Sequence, residues 1–481
     1  MTNGQNGKNN DNHPVDETKG ADLEELLENN SLTDKEAPVE VEEEVLEISK
    51  IKSVAEPKKF LFISWESLGG NLAWKIKKEG HEVKFWHKDK EDDEIYDGFI
   101  DKVEQWEDFK DWADVIVFDD SGFGKIADSL RREKKFVVGP TEYSDKLEED
   151  REFGQSEMKR VGMLTLPHWN FFNYEEAIAF LKENPGRYVF KPSGSVLSEQ
   201  KGILFVGNDE SGLDLIEVLT QNKNTWAKKY KEFQLQKFVQ GVEVAVGAFF
   251  NGNDFIYPIN INFEHKNLFP GNIGPYTSEM GTLMYWCNPN PIFRTTLEKM
   301  KESLAENKYV GYIDINCVAN GRGIYPLEYT CRWGYPHTSI AMEGVLSEWG
   351  EFLYKIAKGE QFELRTKRGF QVGVVVAVPP FPYNDKKAAE IYRDLSIIFK
   401  KNNLEGIHLG DVKLVDGAWH LAGDSGYALI VTGSGTAVAE ARKMAYNRID
   451  NIILQNKFYR TDIGLRWNTD SDKLQSWGYL T

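Results

Sequence analysis

Cysteine is scarce in this sequence: Cys287, Cys317 and Cys331 are the only three in 481 residues. An odd count without a CxxC pair excludes a disulfide framework and a zinc-ribbon site. It fits a reducing compartment and leaves three thiols for the core. Long apolar runs are missing as well. No stretch approaches the roughly 20 residues that span a bilayer, and the polar N-terminus lacks the apolar centre of a signal peptide, so a cytoplasmic protein without membrane contact is expected. Basic runs are missing too. The formal charge is −18, whereas a polyphosphate backbone is bound by clustered Lys and Arg, so no nucleic-acid partner is expected. Residues 1–56 contain no aromatic residue and carry 15 acidic against five basic ones, which supplies −10 of that charge. Such a segment buries too little apolar surface to order itself and reads as a disordered acidic tail. Within it "DLEELLENN" (22–30) has the pattern of a transient helix, and "VEVEEEVLEI" (39–48) that of a strand able to pair with an unknown partner.

Beyond the tail the chain has an ordinary globular character, 41% hydrophobic and 13% aromatic over the whole sequence, and is long enough for two to four domains. "FLFIS" (60–64), "HEVKFW" (81–86), "DVIVF" (114–118) and "KFVVG" (135–139) are short β-rich runs, with helical segments such as "GGNLAWKIKKEG" (69–80) between them. Alternating strands and helices imply a mostly parallel sheet, whose ligands sit at the carboxyl ends of the strands. Those ends are "SWESLGGN" (64–71), "DDSGFG" (119–124) and "GPTEYS" (139–144). The pattern predicts one helix over 147–162. A mixed region comes next, with strands in "RYVFKPSG" (187–194), "KGILFVG" (201–207) and "EFQLQKFVQGVEVAVGAFF" (232–250). Its last part, "GYIDINCVANGRGIYPLEYT" (311–330), is two strands joined by the turn signal "NGRG". From about Arg368 come four more strands and a helix over 435–453, whose Val438, Ala441, Ala445, Ile449 and Ile452 share one face.

Three clusters carry candidate chemistry. The hairpin sets Asp314 and Asn316 beside Glu328 and Thr330, because side chains two apart on a strand point the same way. Oxygen donors without His or Cys suit magnesium, which takes one or two carboxylates plus substrate phosphates; the same alternation also describes a plain solvent-exposed face. Arg332, two residues further on, is placed for a carboxylate or for the charge that develops in phosphoryl transfer, or for a salt bridge to a neighbouring acid. Lys191 and Lys201 bracket a loop of small polar residues, as a grip on a polyphosphate or as ordinary surface lysines. No Walker P-loop is present. Gln236 and Glu243 interrupt an apolar strand-turn-strand, and suit a nucleotide pocket or a hairpin core equally.

In this order the segments resemble the ATP-grasp superfamily, and within it the glycinamide ribonucleotide synthetase (phosphoribosylamine–glycine ligase) family, over about residues 58–467. "LEYTCRWGYP" (327–336) is similar to that family's Glu-Phe-Asn-x-Arg-Phe-Gly-Asp-Pro-Glu signature, and "EHKNLFPGNIGPYTSEMG" (264–281) to its Asp-His-Lys and Thr-Gly-Pro-Asn-Thr-Gly-Gly-Met-Gly segment. "GTAVAEARKMAYNRID" (435–450) with "YRTDIG" (459–464) resembles its C-terminal helix and closing motif. The resemblance implies a mixed α/β ATP-grasp fold, with an acidic tail at 1–56 and a Rossmann-like pre-ATP-grasp domain at 57–146. An ATP-grasp domain at 147–366, a β-rich C-terminal domain with one long helix at 367–467 and a short tail at 468–481 complete it.

The implied activity is that of an ATP-dependent carboxylate–amine ligase working through an acyl phosphate, as in purine biosynthesis. The implied cofactors are ATP and Mg2+ or Mn2+, the partners small-molecule carboxylate and amine substrates, and the state a monomer. Lys191, Lys201, Gln236, Glu243 and Arg151 would hold the nucleotide; Glu328, Thr330, Asn316 and Asp314 the metal; Arg332 would meet the acyl phosphate or the substrate carboxylate; and Lys266, Gly274, Pro275, Gly334 and Pro336 would bind substrate. The loop 193–201 would close as a lid. Departures fall mostly on the amine side. Thr330 stands for Asn, "GYPH" (334–337) has lost two carboxylates, "SWESLGGN" has neither Arg nor His, and Arg151 stands for a lysine. Two other readings stay open, a different amine acceptor and a non-catalytic ATP-binding homologue that acts through partners.

Overall fold

Apolar runs covered by helices on both sides can be buried on both faces, and three of the first four strands are of that kind. The structure, a computed structural model, describes residues 56–89, 93–192, 204–383, 385–401 and 403–480. Lys201, the loop 193–201 and both patterns in the acidic tail lie outside the described residues. Strands β1 (Lys59–Ser64), β2 (Glu82–His87), β3 (Val115–Phe118) and β4 (Val137–Val138) form a parallel sheet in the order β2-β1-β3-β4. Helices α1 (Gly70–Lys78) and α2 (Gly124–Arg132) lie between its strands in sequence. The order reverses between β1 and β3, so their carboxyl ends open at a topological switch point. Gly70 is required there by close approach, since a Cβ would lie 2.0 Å from the Tyr96 ring.

The helix expected over 147–162 is instead two, α3 (Glu142–Glu149) and α4 (Arg151–Arg160). Asp150 has an extended backbone and accepts a hydrogen bond from the Phe153 amide, so it ends one helix and caps the next. A small antiparallel sheet comes next in the order β5-β8-β6-β7: β5 (His168–Phe171), β6 (Tyr188–Pro192), β7 (Phe205–Val206) and β8 (Phe233–Lys237). Helices α5 (Tyr174–Glu183) and α6 (Leu213–Lys229) back it around Leu181, Phe190, Leu215, Leu219 and Phe233, a core separate from the main one.

The centre is an eight-stranded sheet in the order β15-β14-β9-β10-β13-β16-β21-β18. Its strands are β9 (Val242–Asn251), β10 (Phe255–Glu264), β13 (Gly281–Cys287), β14 (Val310–Asn320), β15 (Gly323–Thr330), β16 (Phe370–Ala377), β18 (Ile407–Leu409) and β21 (Tyr427–Gly435). The hairpin β11 (Asn267–Phe269) and β12 (Ile273–Tyr276) is inserted between β10 and β13. Helices α7 (Pro291–Thr295) and α8 (Lys301–Glu306) precede β14, and α9 (His337–Gly344) and α10 (Trp349–Ala357) come after β15. Strands from the stretch after Arg368 thus continue the same sheet as the hairpin instead of standing apart. That stretch also forms a smaller sheet, β19-β20-β17-β22, from β17 (Ser396–Phe399), β19 (Val412–Val415), β20 (Ala418–Leu421) and β22 (Ile452–Ile453), with α11 (Lys386–Tyr392) before it.

Helix α12 (Val438–Asp450) buries Ala441, Ala445 and Ile449, while Ile452 has already left it for β22. The segment read as a closing tail carries α13 (Trp467–Ser476), with Leu474 buried. Cys317 and Cys331 are buried and Cys287 half-buried, all three as free thiols. No helix among the described residues is long and apolar enough to cross a membrane.

Candidate active site

Antiparallel pairing of β14 with β15 sets Asp314 opposite Thr330 and Asn316 opposite Glu328, so the four oxygen-bearing side chains share one face. They differ in burial. Glu328 is exposed and its carboxylate lies 3.4 Å from the Lys266 Nζ and 4.0 Å from an Arg151 guanidinium nitrogen. Asp314 is 3% exposed, and burial, reinforced by the neighbouring Glu264, pushes its carboxyl well above the usual range. Among the described residues no three His, Cys, Asp or Glu side chains are arranged to hold a metal by themselves. Two carboxylates, an amide and a hydroxyl still fit a hard divalent ion that draws its other ligands from phosphates and water.

Lys191, at the end of β6, is buried against β8, where its Nζ donates to Gln236 Oε1 at 2.7 Å. Burial, then the Arg151 guanidinium and Lys266, lower its pKa against the pull of Glu328 and Glu243, to about 7 in all. Five charged side chains from α4, β6, β9, β15 and the residues just after β10 therefore converge on one place. Lys266 is also 3.2 Å from Glu264. Burial opposes its charge, but Glu264, Glu328 and Glu243 hold it well above the ordinary lysine value.

Gly274 and Pro275 lie on β12, opposite the Asn267 amide that donates to the Gly274 carbonyl at 3.1 Å. Gly334 and Pro336 lead into α9, whose first turn returns to the Gly334 carbonyl through the Thr338 amide at 2.9 Å. A Cβ on Gly334 would meet the His337 Cβ at 2.8 Å.

Arg332 points to the carboxyl end of the parallel sheet, and the Glu148 that it binds also acts on Asp314. Its Nε donates to Glu148 at 3.0 Å and is 3.5 Å from Asp120. Burial pulls it down but these two acids and Glu66 hold it above the ordinary arginine value. Asp119 is buried beside them. Burial pushes it up to about 7, against a hydrogen bond from the Gly69 amide at 2.5 Å. Asp145 is likewise raised to about 7 by burial, against donation from the Gly124 and Gly122 amides. This end of the site is acidic around one guanidinium.

Reading the hairpin alone missed the acids Glu264 and Glu279 and the amides Asn260 and Asn262. "NINFE" (260–264) in β10 has the same alternation as "DIN" in β14. Applied to it, the argument used for Asp314 and Asn316 would have found three of the four.

The fold is similar to that of the crystal structure of phosphoribosylamine–glycine ligase from Thermotoga maritima, with a TM-score of 0.64 and 23% identity over 84% of this chain and 100% of that one. Residues 149–338 match the family model described as phosphoribosylglycinamide synthetase, ATP-grasp (A) domain, and the class this defines is the ATP-grasp proteins. Residues 371–466 match the model of the C domain of the same synthetase, so that the two matches span more than half of the sequence. The chain belongs to the phosphoribosylglycinamide synthetase family. Among its relatives is a phosphoribosylamine–glycine ligase from Streptococcus pneumoniae, 24% identical over 358 residues, which are 72% of this chain and 82% of that protein. Another, from Clostridium acetobutylicum, is 26% identical over 354 residues, 70% of this chain and 81% of the relative.

Proposed function

We propose that this chain is an ATP-dependent carboxylate–amine ligase of the phosphoribosylamine–glycine ligase type, a cytoplasmic monomer that acts on small molecules through an acyl phosphate. The observation that carries the reading is the convergence of Lys191, Arg151, Lys266, Glu328 and Glu243. Lys191, Arg151 and Lys266 offer three N–H donor groups to a triphosphate there, beside the carboxylates of Glu328, Glu243 and Glu264. Lys191, Lys201 and Arg151 hold its phosphates, and Gln236 and Glu243 border the nucleoside. Glu328, Thr330, Asn316 and Asp314 would hold Mg2+ or Mn2+, which would supply charge neutralisation for the phosphoryl group.

An oxygen of the substrate carboxylate attacks the γ-phosphorus, the bond to the bridging oxygen breaks, and ADP leaves. The amine nitrogen then attacks the acyl carbon, phosphate departs with the bonding pair, and the nitrogen gives up a proton. Lys266 sits where the negative charge of the transferred group accumulates. Arg332, anchored through its Nε, serves the acyl phosphate or the substrate carboxylate, with Gly274, Pro275, Gly334 and Pro336 around the substrates. No side-chain nucleophile is required, because positioning and charge neutralisation carry the rate.

The division of labour runs along the chain: 57–146 for the amine side, 147–366 for nucleotide and metal, 367–467 to close the site. The test is ADP release by the purified full chain with magnesium-ATP, glycine and freshly generated phosphoribosylamine, against omission of each substrate. Release that needs both is expected. ATP bound without release for any amine and carboxylate pair overturns the reading.

A further inference from the structure

The break between α3 and α4 puts two side chains, one on each side of Asp150, within reach of the same strand end. Before the break, Glu148 accepts from the Arg332 Nε at 3.0 Å with one oxygen and from the Cys331 amide at 2.8 Å with the other. After it, an Arg151 guanidinium nitrogen lies 4.0 Å from Glu328. An acid and a base at the helix junction thus face a base and an acid where β15 ends.

Glu148 is itself held in place. Helix α3 opens on a capping box between Thr141 and Ser144. One turn before Glu148, Asp145 accepts from the Gly122 amide at 2.9 Å and from the Gly124 amide at 2.6 Å. Residues three apart are neighbours on a helix, so the loop after β3 fixes the roll of the helix that carries Glu148. The Cys331 peptide is gripped from its other side too, with the Tyr309 Oη 2.9 Å from its carbonyl.

A carboxylate that binds both an arginine Nε and the amide of the residue before it locks the guanidinium against its own main chain. Asp120 stands 3.5 Å from the same nitrogen, so acids close the Nε side. The guanidinium is a rigid planar fork, and what remains for a ligand is the edge that carries the two Nη groups. Neither Nη makes a hydrogen bond among the described residues. By charge alone Glu148 opposes any anion that Arg332 binds, so what it can add is geometry.

We propose that Glu148 is a positioning residue, which fixes the plane of the Arg332 guanidinium so that its Nη edge meets the acyl phosphate or the substrate carboxylate. The inference rests on the ligase reading for what Arg332 meets, and on the two hydrogen bonds for how it is held. Glu148 makes no bond to substrate and moves no proton.

The experiment is a double-mutant cycle on the full-length protein with Glu148→Gln and Arg332→Ala, read by ADP release and by the affinity for inorganic phosphate in the presence of magnesium-ADP. Glu148→Gln keeps an acceptor for the Cys331 amide and loses the charge. It is expected to lower kcat about tenfold to a hundredfold, as misplacement of a catalytic group does, with the KM for ATP unchanged. In the Arg332→Ala background the same substitution is expected to change kcat by less than about twofold, because nothing is left to position. Phosphate supplies the sign. Removal of a neighbouring negative charge tightens an anion by Coulomb attraction, whereas loss of the fork's orientation weakens it, and weaker binding is expected. Glu148→Asp keeps the charge but draws it back by one methylene, and it runs through the same cycle if Glu148→Gln does not fold.

A wild-type kcat in Glu148→Gln, losses that multiply in the double variant, or tighter phosphate binding overturns the positioning role. If the wild type releases no ADP with any amine and carboxylate, the ligase reading falls and phosphate alone decides. Binding that weakens in Glu148→Gln, and no further once Arg332 is gone, then keeps Glu148 in its role; binding that is absent or blind to Glu148 removes it.

Discussion

A lysine with a pKa near 7 is half charged where most enzymes work, and Lys191 is such a lysine because burial and the Arg151 guanidinium disfavour its charge. If Lys191 holds a phosphate as proposed, bound triphosphate would supply a counter-charge and draw the proton back. ATP binding at pH 8 is therefore expected to take up close to one proton, and at pH 6 almost none. Calorimetric titration in two buffers of different ionisation enthalpy measures this directly. The stability effect has the matching sign. The folded pKa is depressed from 10.5 to about 7, so the contribution is present above the unfolded value and lost as pH falls through 7. Lys191→Met removes both the proton uptake and this slope, and lowers ATP-dependent turnover at least about a hundredfold by taking a cation from the phosphate site. Glu328→Ala is expected to lose turnover to a similar extent through the metal, and to fold as well as wild type, since its carboxylate is exposed. Full turnover in either variant would remove that residue from the site.

At the scale of elements, the carboxyl ends of β1 and β3 store acid at a cost. Asp119 and Asp145 both rise from 3.8 to about 7 because burial disfavours their charge. For a raised acid the contribution to stability is complete below the unfolded pKa and is lost as pH rises through 7. Asp119→Asn keeps an acceptor for the Gly69 amide and removes the titration. It is expected to flatten the decline in denaturation free energy between pH 4 and pH 8 by roughly 4 kcal/mol. A pH profile parallel to that of wild type would show that the carboxyl is already solvated.

The elements that sequence alone could place are those where one local signal decides. Period-two alternation and the "NGRG" turn mark the β14–β15 hairpin, but the pairing of Asp314 with Thr330 and Asn316 with Glu328 also needs the register shift between Asn316 and Cys317, which no local pattern announces. Apolar runs between helices give the parallel sheet. The division at Asp150 needed the cap and not the propensity, since "LEEDREFGQSEMKR" (147–160) is helical in composition throughout. Neither did local pattern reveal that β16, β21 and β18 extend the sheet of the hairpin, because strand partners come from the whole chain. Of the site, Lys191 with Gln236 and Glu328 with Asp314 were legible. The surroundings of Arg332 were not: Glu148 and Asp120 reach it from α3 and from the end of β3, more than 180 positions away in sequence.

The whole molecule is tied through Glu343, on the helix that comes after the site. Its carboxylate, 5% exposed, takes Lys367 Nζ at 2.8 Å, Arg448 at 3.1 Å, Thr432 Oγ1 at 2.9 Å and Ser434 Oγ at 2.8 Å. One acid thus joins α9 to the approach of β16, to β21 and to α12, the parts that sequence set down as a separate C-terminal unit. Burial opposes the charge, but the hydrogen bond from Lys367 and the Arg448 guanidinium outweigh it and hold the carboxyl at about 2. Folded below its unfolded value of 4.5, the group contributes stability that is present above pH 4.5 and lost as pH falls toward 2. The shift corresponds to about 3 kcal/mol. Glu343→Ala leaves Lys367 without its acid and Arg448 with only Glu405, and is expected to cost about 3 kcal/mol at neutral pH, with the acid limb of the stability profile shifted in step. Because α9 follows directly on Gly334 and Pro336, the residues proposed to bind substrate, loss of this tie should also loosen the site. A rise in the KM for the carboxylate substrate is expected, with ATP affinity kept by the distant β6–β8 sheet. Denaturant unfolding with ligand titrations on the same protein separates these effects. A variant that loses stability with both affinities intact would confine Glu343 to holding the sheet together.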